Sequence, residues 1–370
     1  MRVLMTCGGT GGHINPAIAI ANTIKERIPE AEILFVGTKR GKESVLVPRA
    51  GYELRFVESQ GIRRSLSPAN IKALFRALIS PLEAKKLIRE FNPDVVVGTG
   101  GYACWPVLKG ASMLGIPCVV HESNAIPGMA VKRLQKSVDK ILLNFEKSKE
   151  YMSKKANTVR VGNPISEGFA TMEKGAARRK HGIPEDALCV LSYGGSGGAE
   201  FMNAIALEVM KEYVASRREI VFVQATGSRN YAEIKARFDE LGLGNCPNIH
   251  LFEYIYDMPE YMAAADVVIC RAGAMTVSEL SIMGKASIMI PSPNVVDNHQ
   301  YKNAKVLADA DATCLLEEEG LTAERLWRAL EALLYTAGKR SAMEKSITQF
   351  ADRNANERIF EEIMALVREP

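Results

Sequence analysis

The 370-residue chain has no Cys-x-x-Cys pair, no apolar run long enough to cross a bilayer and no G-x-x-x-x-G-K-[ST] loop. Each absence removes a class of protein. Seven cysteines, Cys7, Cys104, Cys118, Cys189, Cys246, Cys270 and Cys314, stand singly and are odd in number. That excludes a disulfide framework and a cysteine metal site, and points to free thiols in a reducing cytosol. The most apolar region, 95–120, is broken by Gly98, Gly100, Gly101, Pro106, Gly115 and Pro117, which suits buried strands and a helix rather than a membrane span. Only Arg2 precedes the first apolar run, so neither a secretory signal nor an anchor is expected there. Without a P-loop, a nucleoside triphosphate is disfavoured. Aromatic residues make up 7% and no basic stripe interleaves with them, which argues against nucleic acid as a partner.

What the chain does have is a division of charge. The net charge of +4 conceals a front part, 1–162, with 25 Lys and Arg against 13 Asp and Glu, and a remainder with 22 against 30. The front is net +12 and the back net −8. The front half is therefore expected to meet something anionic.

Short β-branched apolar runs recur at 3–5, 33–36, 95–97, 118–120, 141–143 and 159–161, with helix-period stretches between them. This alternation predicts a parallel sheet covered on both faces, the doubly wound α/β class. After Gly162-Asn163-Pro164 the pattern restarts, with runs at 188–191, 220–223, 249–251, 267–269, 287–290 and 312–315. A chain of this length outgrows one core. It divides into a domain at 1–162, a second at 163–345 and a C-terminal helix at 346–370 that can pack back on the first.

Each half carries a glycine turn after its first strand: Gly8-Gly9-Thr10-Gly11-Gly12-His13 and Gly194-Gly195-Ser196-Gly197-Gly198. Bare amides and the positive end of the helix that follows make such a turn an anion site, whereas a plain tight turn needs only one or two glycines. A dinucleotide would require G-x-G-x-x-G and an acidic residue ending the second strand. Ile14 and Glu200 occupy the third glycine's place, and the second strand ends Gly37-Thr38-Lys39-Arg40. NAD is thereby disfavoured, leaving a diphosphate or sugar phosphate. In doubly wound sheets ligands bind beyond the carboxyl ends of the strands, so a cleft between the domains is the expected site. After the run 267–269, Cys270-Arg271-Ala272-Gly273 opens a helix with Glu279 about one turn in. That carboxylate either accepts hydrogen bonds from both hydroxyls of a ribose or complements the helix dipole. Spacing alone leaves both open.

Taken in order, Gly8–His13 with Asn15-Pro16, His121-Glu122-Ser123-Asn124, Val161-Gly162-Asn163-Pro164, Gly194–Gly197 and Arg271–Glu279 closely resemble one enzyme family. It is the family of peptidoglycan glycosyltransferases that add N-acetylglucosamine to undecaprenyl-diphosphate-linked N-acetylmuramoyl-pentapeptide. The resemblance runs from residue 3 to about 305. It implies a GT-B fold, two Rossmann-like doubly wound parallel-sheet domains facing across a cleft. UDP-N-acetylglucosamine would be held mainly by the C-terminal domain, with no cofactor and no metal. By position, the resemblance puts Glu279 on the ribose, the backbone of Ala274, Met275, Thr276, Val277 and Ser278 along the nucleotide, and Ser196 on the diphosphate. It puts the Ile255 backbone on the uracil and Gln300 on the sugar. Thr10, Gly11, Gly12 and Asn124 complete the site around the N-acetylglucosamine and the acceptor, while Gly9, Gly100, Gly101 and Tyr102 hold the lipid diphosphate. Ser166 departs from the pattern, since some members carry arginine there.

The implied reaction is a one-step displacement of UDP by the acceptor's C4 hydroxyl, with inversion to a β-1,4 link. It needs a base at that hydroxyl and positive potential at the diphosphate. His13 is the candidate catalytic base, because an ordinary imidazole is mostly neutral at cytosolic pH. Capping its own helix is the other reading of His13, and Glu122 and His121 are alternative bases. Asp309-Ala310-Asp311 follows a helical stretch and reads as a helix end rather than a metal motif. The lipid-linked acceptor also gives the basic front half a purpose. Ile71, Leu74, Phe75, Leu78, Ile79 and Leu82 fall on one side of a helix, with Lys72, Arg76, Lys85, Lys86 and Arg89 close by. Such a face suits an anionic leaflet, or packing on the sheet. A peripheral position on the cytoplasmic face of the bacterial cell membrane is expected. Alternatives are a glycolipid synthase of the same fold, a UDP-sugar 2-epimerase and a non-catalytic nucleotide-sugar binding protein.

Overall fold

The computed structural model describes residues 1–58, 68–295 and 298–368, with the side chains of 68–79 and 368 outside the description. The chain forms two units, one of Met1–Ser166 together with the segment from Arg353 onward, the other of Glu167–Asp352.

The first unit holds β1 (Arg2–Thr6), β2 (Glu32–Gly37), β3 (Glu53–Phe56), β4 (Val95–Gly98), β5 (Cys118–Glu122), β6 (Lys140–Leu143) and β7 (Thr158–Arg160). They form one parallel sheet in the order β3-β2-β1-β4-β5-β6-β7. Alternate residues of its central strands feed two separate cores, as a period of two requires. Val3, Met5, Val95, Val97 and Val119 pack with Ile20 and Ile24 of the helix Gly11–Arg27 and with Ile359 and Ile363 of the helix Ala355–Arg368. Leu4, Val96, Cys118 and Val120 pack on the opposite face with Ala84 and Ile88 of the helix Pro68–Phe91 and with Val107, Leu108 and Ala111 of Cys104–Met113. The C-terminal helix is tied down by polar contacts too. Arg358 donates through Nε and Nη2 to the Val161 carbonyl at 3.1 and 2.8 Å, and the Asn356 amide exchanges hydrogen bonds with the backbone of Ile165 at 3.0 and 2.9 Å.

Six strands of this sheet coincide with the apolar runs of the sequence, and β3 does not. Its residues Glu-Leu-Arg-Phe are all partly or fully exposed, because β3 is an edge strand paired only with β2. An edge strand needs no apolar run, and charge on it discourages further pairing.

The second unit holds β8 (Leu188–Tyr193), β9 (Ile220–Ala225), β10 (Ile249–Phe252), β11 (Val267–Cys270), β12 (Ser287–Met289) and β13 (Cys314–Leu315). This sheet is also parallel, in the order β10-β9-β8-β11-β12-β13. The helix Ala323–Tyr335 buries Leu326, Trp327, Leu330, Leu333 and Leu334 in its core, and Trp327 stacks on Tyr213 with ring centroids 5.1 Å apart.

In each sheet the first strand has the second on one side and the fourth on the other. Connections on the two sides leave toward opposite faces, so a crevice opens at the carboxyl ends of β1 and β4, and likewise of β8 and β11. Among the described residues no helix is long and apolar enough to cross a membrane. Of the apolar and basic face expected along 71–89, the side chains of Ile71, Lys72, Leu74, Phe75, Arg76, Leu78 and Ile79 lie outside the described residues, and Leu82 is exposed.

Candidate active site

At the first sheet's switch point the loops after β1 and β4 press together, and this contact accounts for their glycines. Gly101 has φ +85°, and a Cβ on it would stand 2.1 Å from the Gly8 carbonyl oxygen. Gly100 has φ +96°, and a Cβ there would meet His13 Cδ2 at 2.6 Å and Nε2 at 3.0 Å. No L side chain fits either place without strain. The imidazole thus lies against the second loop. Its backbone carbonyl accepts from Thr99 Oγ1 at 2.6 Å, and its Nδ1 lies 3.3 Å from Thr10 Oγ1. The ring is half-buried. Burial lowers its pKa, and the charge of Glu43 partly opposes this, so the imidazole is neutral at neutral pH.

Glu43 is a residue that sequence reasoning missed. It is fully buried, and Gly37 and Gly41 make room for it. Oε2 accepts from the Gly9 N–H at 3.0 Å, while Oε1 accepts from the Thr38 N–H at 2.9 Å and the Thr38 hydroxyl at 2.8 Å. Gly9, expected on the lipid diphosphate, is held by this contact. Its amide is already engaged by a carboxylate, and at φ +93° beside the Tyr102 ring its part is to let two loops meet. A carboxylate therefore does follow β2, but it serves the loop backbone.

His121 and Glu122 also differ from their expected role as alternative bases. His121 is fully buried at the end of β5, with Nε2 2.8 Å from the Gly162 carbonyl, and burial pushes its pKa down to about 4. Glu122 is buried and accepts from the Asn124 N–H at 2.9 Å, Asn124 Nδ2 at 3.0 Å and the Gly128 N–H at 2.7 Å. Burial raises its pKa, against the pull of those donors. Glu122 is thus a holder of Asn124, whose amide nitrogen it occupies, leaving Oδ1 as the atom for a ligand. Ser166 is exposed.

In the second unit the expected residues again lie beyond the carboxyl ends of strands. The helix Ala274–Met283 follows β11, and its N-cap, Gly273, supplies no side-chain cap. Glu279 is only 7% exposed, and burial raises its carboxyl to about 7. Ser278 Oγ donates to the Ala274 carbonyl at 3.1 Å, so its hydroxyl serves the helix. Ile255 is buried after β10. Gln300, in the helix His299–Ala308 after β12, accepts the Ser292 N–H on Oε1 at 2.9 Å, which leaves Nε2 for a ligand. Ser196 lies between β8 and the helix Glu200–Val209, whose N-cap Ala199 supplies no side-chain cap. Asp309 follows the helix His299–Ala308 and pairs with Lys305. No group of three or more potential metal ligands occurs among the described residues.

A second loop crossing was not legible beforehand. Gly198, at φ +79°, would place a Cβ 2.0 Å from the Thr226 carbonyl, and Gly227, at φ +78°, would place one 2.1 Å from the Gly198 nitrogen. Beneath them, Gln224 Nε2 donates to Asn203 Oδ1 at 2.9 Å and Asn203 Nδ2 to the Thr226 carbonyl at 2.9 Å, all buried. The loop after β9 is therefore locked onto the loop after β8. The signal available was the small-residue turn Ala225-Thr226-Gly227 at a strand end.

Residues 3–143 match the glycosyltransferase family 28 N-terminal domain, and 189–359 the family 28 C-terminal domain. A relative from Acetivibrio thermocellus, named UDP-N-acetylglucosamine--N-acetylmuramyl-(pentapeptide) pyrophosphoryl-undecaprenol N-acetylglucosamine transferase, is 42% identical over 368 residues, covering 100% of this chain and 99% of its own. The crystal structure of Acinetobacter baumannii MurG aligns with a TM-score of 0.70 at 26% identity, over 98% of this chain and 99% of that one. A UDP-GlcNAc 2-epimerase from Neisseria meningitidis, bound to UDP-GlcNAc, aligns with a TM-score of 0.67 over 99% of this chain and all of that one. At 14% identity that is a likeness of fold alone. With both domains matched and a relative this similar from end to end, the chain belongs to glycosyltransferase family 28, among the UDP-N-acetylglucosamine--N-acetylmuramyl-(pentapeptide) pyrophosphoryl-undecaprenol N-acetylglucosamine transferases.

Proposed function

We propose that this enzyme moves N-acetylglucosamine from UDP-N-acetylglucosamine to the C4 hydroxyl of undecaprenyl-diphosphate-linked N-acetylmuramoyl-pentapeptide, inverting the anomeric centre. The observation that carries this reading is the 42% identity, over the whole chain, to a relative named for that transfer.

The two switch points divide the work. In the second unit Glu279 accepts from the ribose hydroxyls, the Ile255 backbone meets the uracil and the Ala274–Ser278 backbone lines the nucleotide. Ser196 and the helix start ahead of Glu200 receive the diphosphate, and Gln300 Nε2 donates to the sugar. In the first unit Thr10, Gly11, Gly12 and Asn124 complete the site around the N-acetylglucosamine and the acceptor, with Asn124 Oδ1 accepting from a sugar N–H or O–H, and Gly100, Gly101 and Tyr102 hold the acceptor's diphosphate. In the tautomer whose Nδ1–H donates to Thr10 Oγ1, His13 Nε2 carries the lone pair. It takes the proton of the C4 hydroxyl as that oxygen bonds to the anomeric carbon and the bond to UDP breaks. Helix amides stabilise the charge that leaves. The lipid-linked acceptor places the enzyme peripherally on the cytoplasmic face of the membrane, against an anionic surface.

Labelled UDP-N-acetylglucosamine, incubated with and without a soluble lipid-intermediate analogue, tests the reading. Label should enter the analogue, and UDP should appear only in its presence. Change of the sugar without acceptor would identify an epimerase instead.

The raised Glu279 carboxyl gives a pH dependence with a definite sign. Hydrogen bonds from two ribose hydroxyls favour its ionised form, so binding lowers a pKa that lies at about 7 in the free protein. Affinity is then full above that value and declines as pH falls through it. Titration calorimetry should give a Kd for UDP-N-acetylglucosamine about tenfold higher at pH 6 than at pH 8, and Glu279→Gln should flatten the profile. A wild-type Kd independent of pH would separate Glu279 from the ribose.

A further inference from the structure

The loop after β9 carries an arginine outside those roles. Gly197 lies in the second unit's glycine loop, and the point where its Cβ would stand is 3.4 Å from Arg229 Cζ, 3.5 Å from Nη2 and 3.6 Å from Nε. Three atoms of the planar group at nearly equal range mean that the guanidinium packs on the loop at Gly197, within ordinary van der Waals reach of its backbone. The residue is exposed, and among the described residues no carboxylate pairs with it, although Arg178 and Lys174 pair with Asp266 and Arg271 with Glu318 in the same unit. The loop that carries it is fixed from behind. The Gly198–Gly227 crossing joins the two loops, the buried Gln224–Asn203 pair holds the Thr226 carbonyl, and the Gly227 N–H donates to the Glu253 carbonyl at 2.9 Å. A cation over a glycine loop stands out in a back half that is net −8. A guanidinium fork suits two oxygens of a phosphate, as a single ammonium does not.

We propose that Arg229 is a further catalytic residue of the transfer, contacting the diphosphate of the nucleotide sugar at the Gly194–Gly198 loop and stabilising the charge that collects there as the sugar–oxygen bond breaks. The inference rests on the second unit being the donor unit. The atoms transferred are unchanged: the bonding pair leaves with UDP, and Arg229 supplies only its field and hydrogen bonds.

The test compares uridine with UDP. In Arg229→Ala the Kd for UDP should rise about tenfold, the Kd for uridine should stay within about twofold, and kcat should fall about tenfold. Arg229→Lys should recover part of the loss and Arg229→Gln little of it. Equal weakening of uridine and UDP would mean a merely structural arginine and overturn the proposal, as would unchanged UDP affinity and turnover. A wild-type enzyme that binds neither uridine nor UDP would overturn the donor-unit reading, and the proposal with it.

Discussion

Replacing His13 by alanine should lower kcat about a hundredfold while the KM for the nucleotide sugar stays near its wild-type value. The split follows from where the residue sits. His13 belongs to the first unit, whereas the groups assigned to the nucleotide all lie in the second. Truncation should leave the loop in place, because the Thr99 hydroxyl is bound to the His13 main-chain carbonyl and the Gly100 and Gly101 crossings are made by backbone. What is lost is the imidazole alone. His13→Gln, polar but unable to take the proton, should be as impaired as alanine. Since burial lowers the pKa of this ring, the acid limb of kcat/KM should fall below the usual imidazole range, with activity lost as pH drops through it. Weakened donor binding with kcat intact would remove His13 from the chemistry.

The other large effect should come from a residue with no direct part in the reaction. Glu43→Ala leaves the buried Thr38 N–H and hydroxyl, and the half-buried Gly9 N–H, without their acceptor. Orphaned buried donors cost about 1–3 kcal/mol each, the hydroxyl can turn elsewhere and water can reach the Gly9 N–H, so the first unit should lose about 2 kcal/mol. Urea unfolding should show the first unit's transition moving to lower denaturant and the second unit's staying put. Glu43→Gln, which keeps one acceptor oxygen, should lose less. An unmoved transition in Glu43→Ala would show that the three donors find other partners.

Sequence patterning located the strands well, because a parallel sheet buried on both faces forces each central strand to be an apolar run. The exceptions have physical causes. β3 is half-exposed at an edge, and so its pattern carries no apolar signal. The glycine loops were legible as turns but not as crossings, since a glycine needed for φ and one needed for another backbone's approach look alike in one dimension. Glu43 was invisible for a related reason. It sits in Gly37-Thr-Lys-Arg-Gly-Lys-Glu43 among charged residues, and only the fold shows that it alone among them turns inward. His121 and Glu122 carried the opposite risk, as residue types apt for proton transfer that the fold spends on the Gly162 carbonyl and on Asn124.

The return of the helix Ala355–Arg368 to the first unit sets an order of assembly during synthesis. The chain leaves that unit after Ser166 and re-enters it at Arg353. Ile359 and Ile363 complete the core around Ile20 and Ile24, and Arg358 and Asn356 hold the backbone of 161–165. Domains fold as units while the chain emerges. The whole of the second unit has left the ribosome before residues 355–368 are available to close the first. The unit that begins the chain is thus the last to be finished, and the nascent chain holds a complete second unit before its first unit is closed.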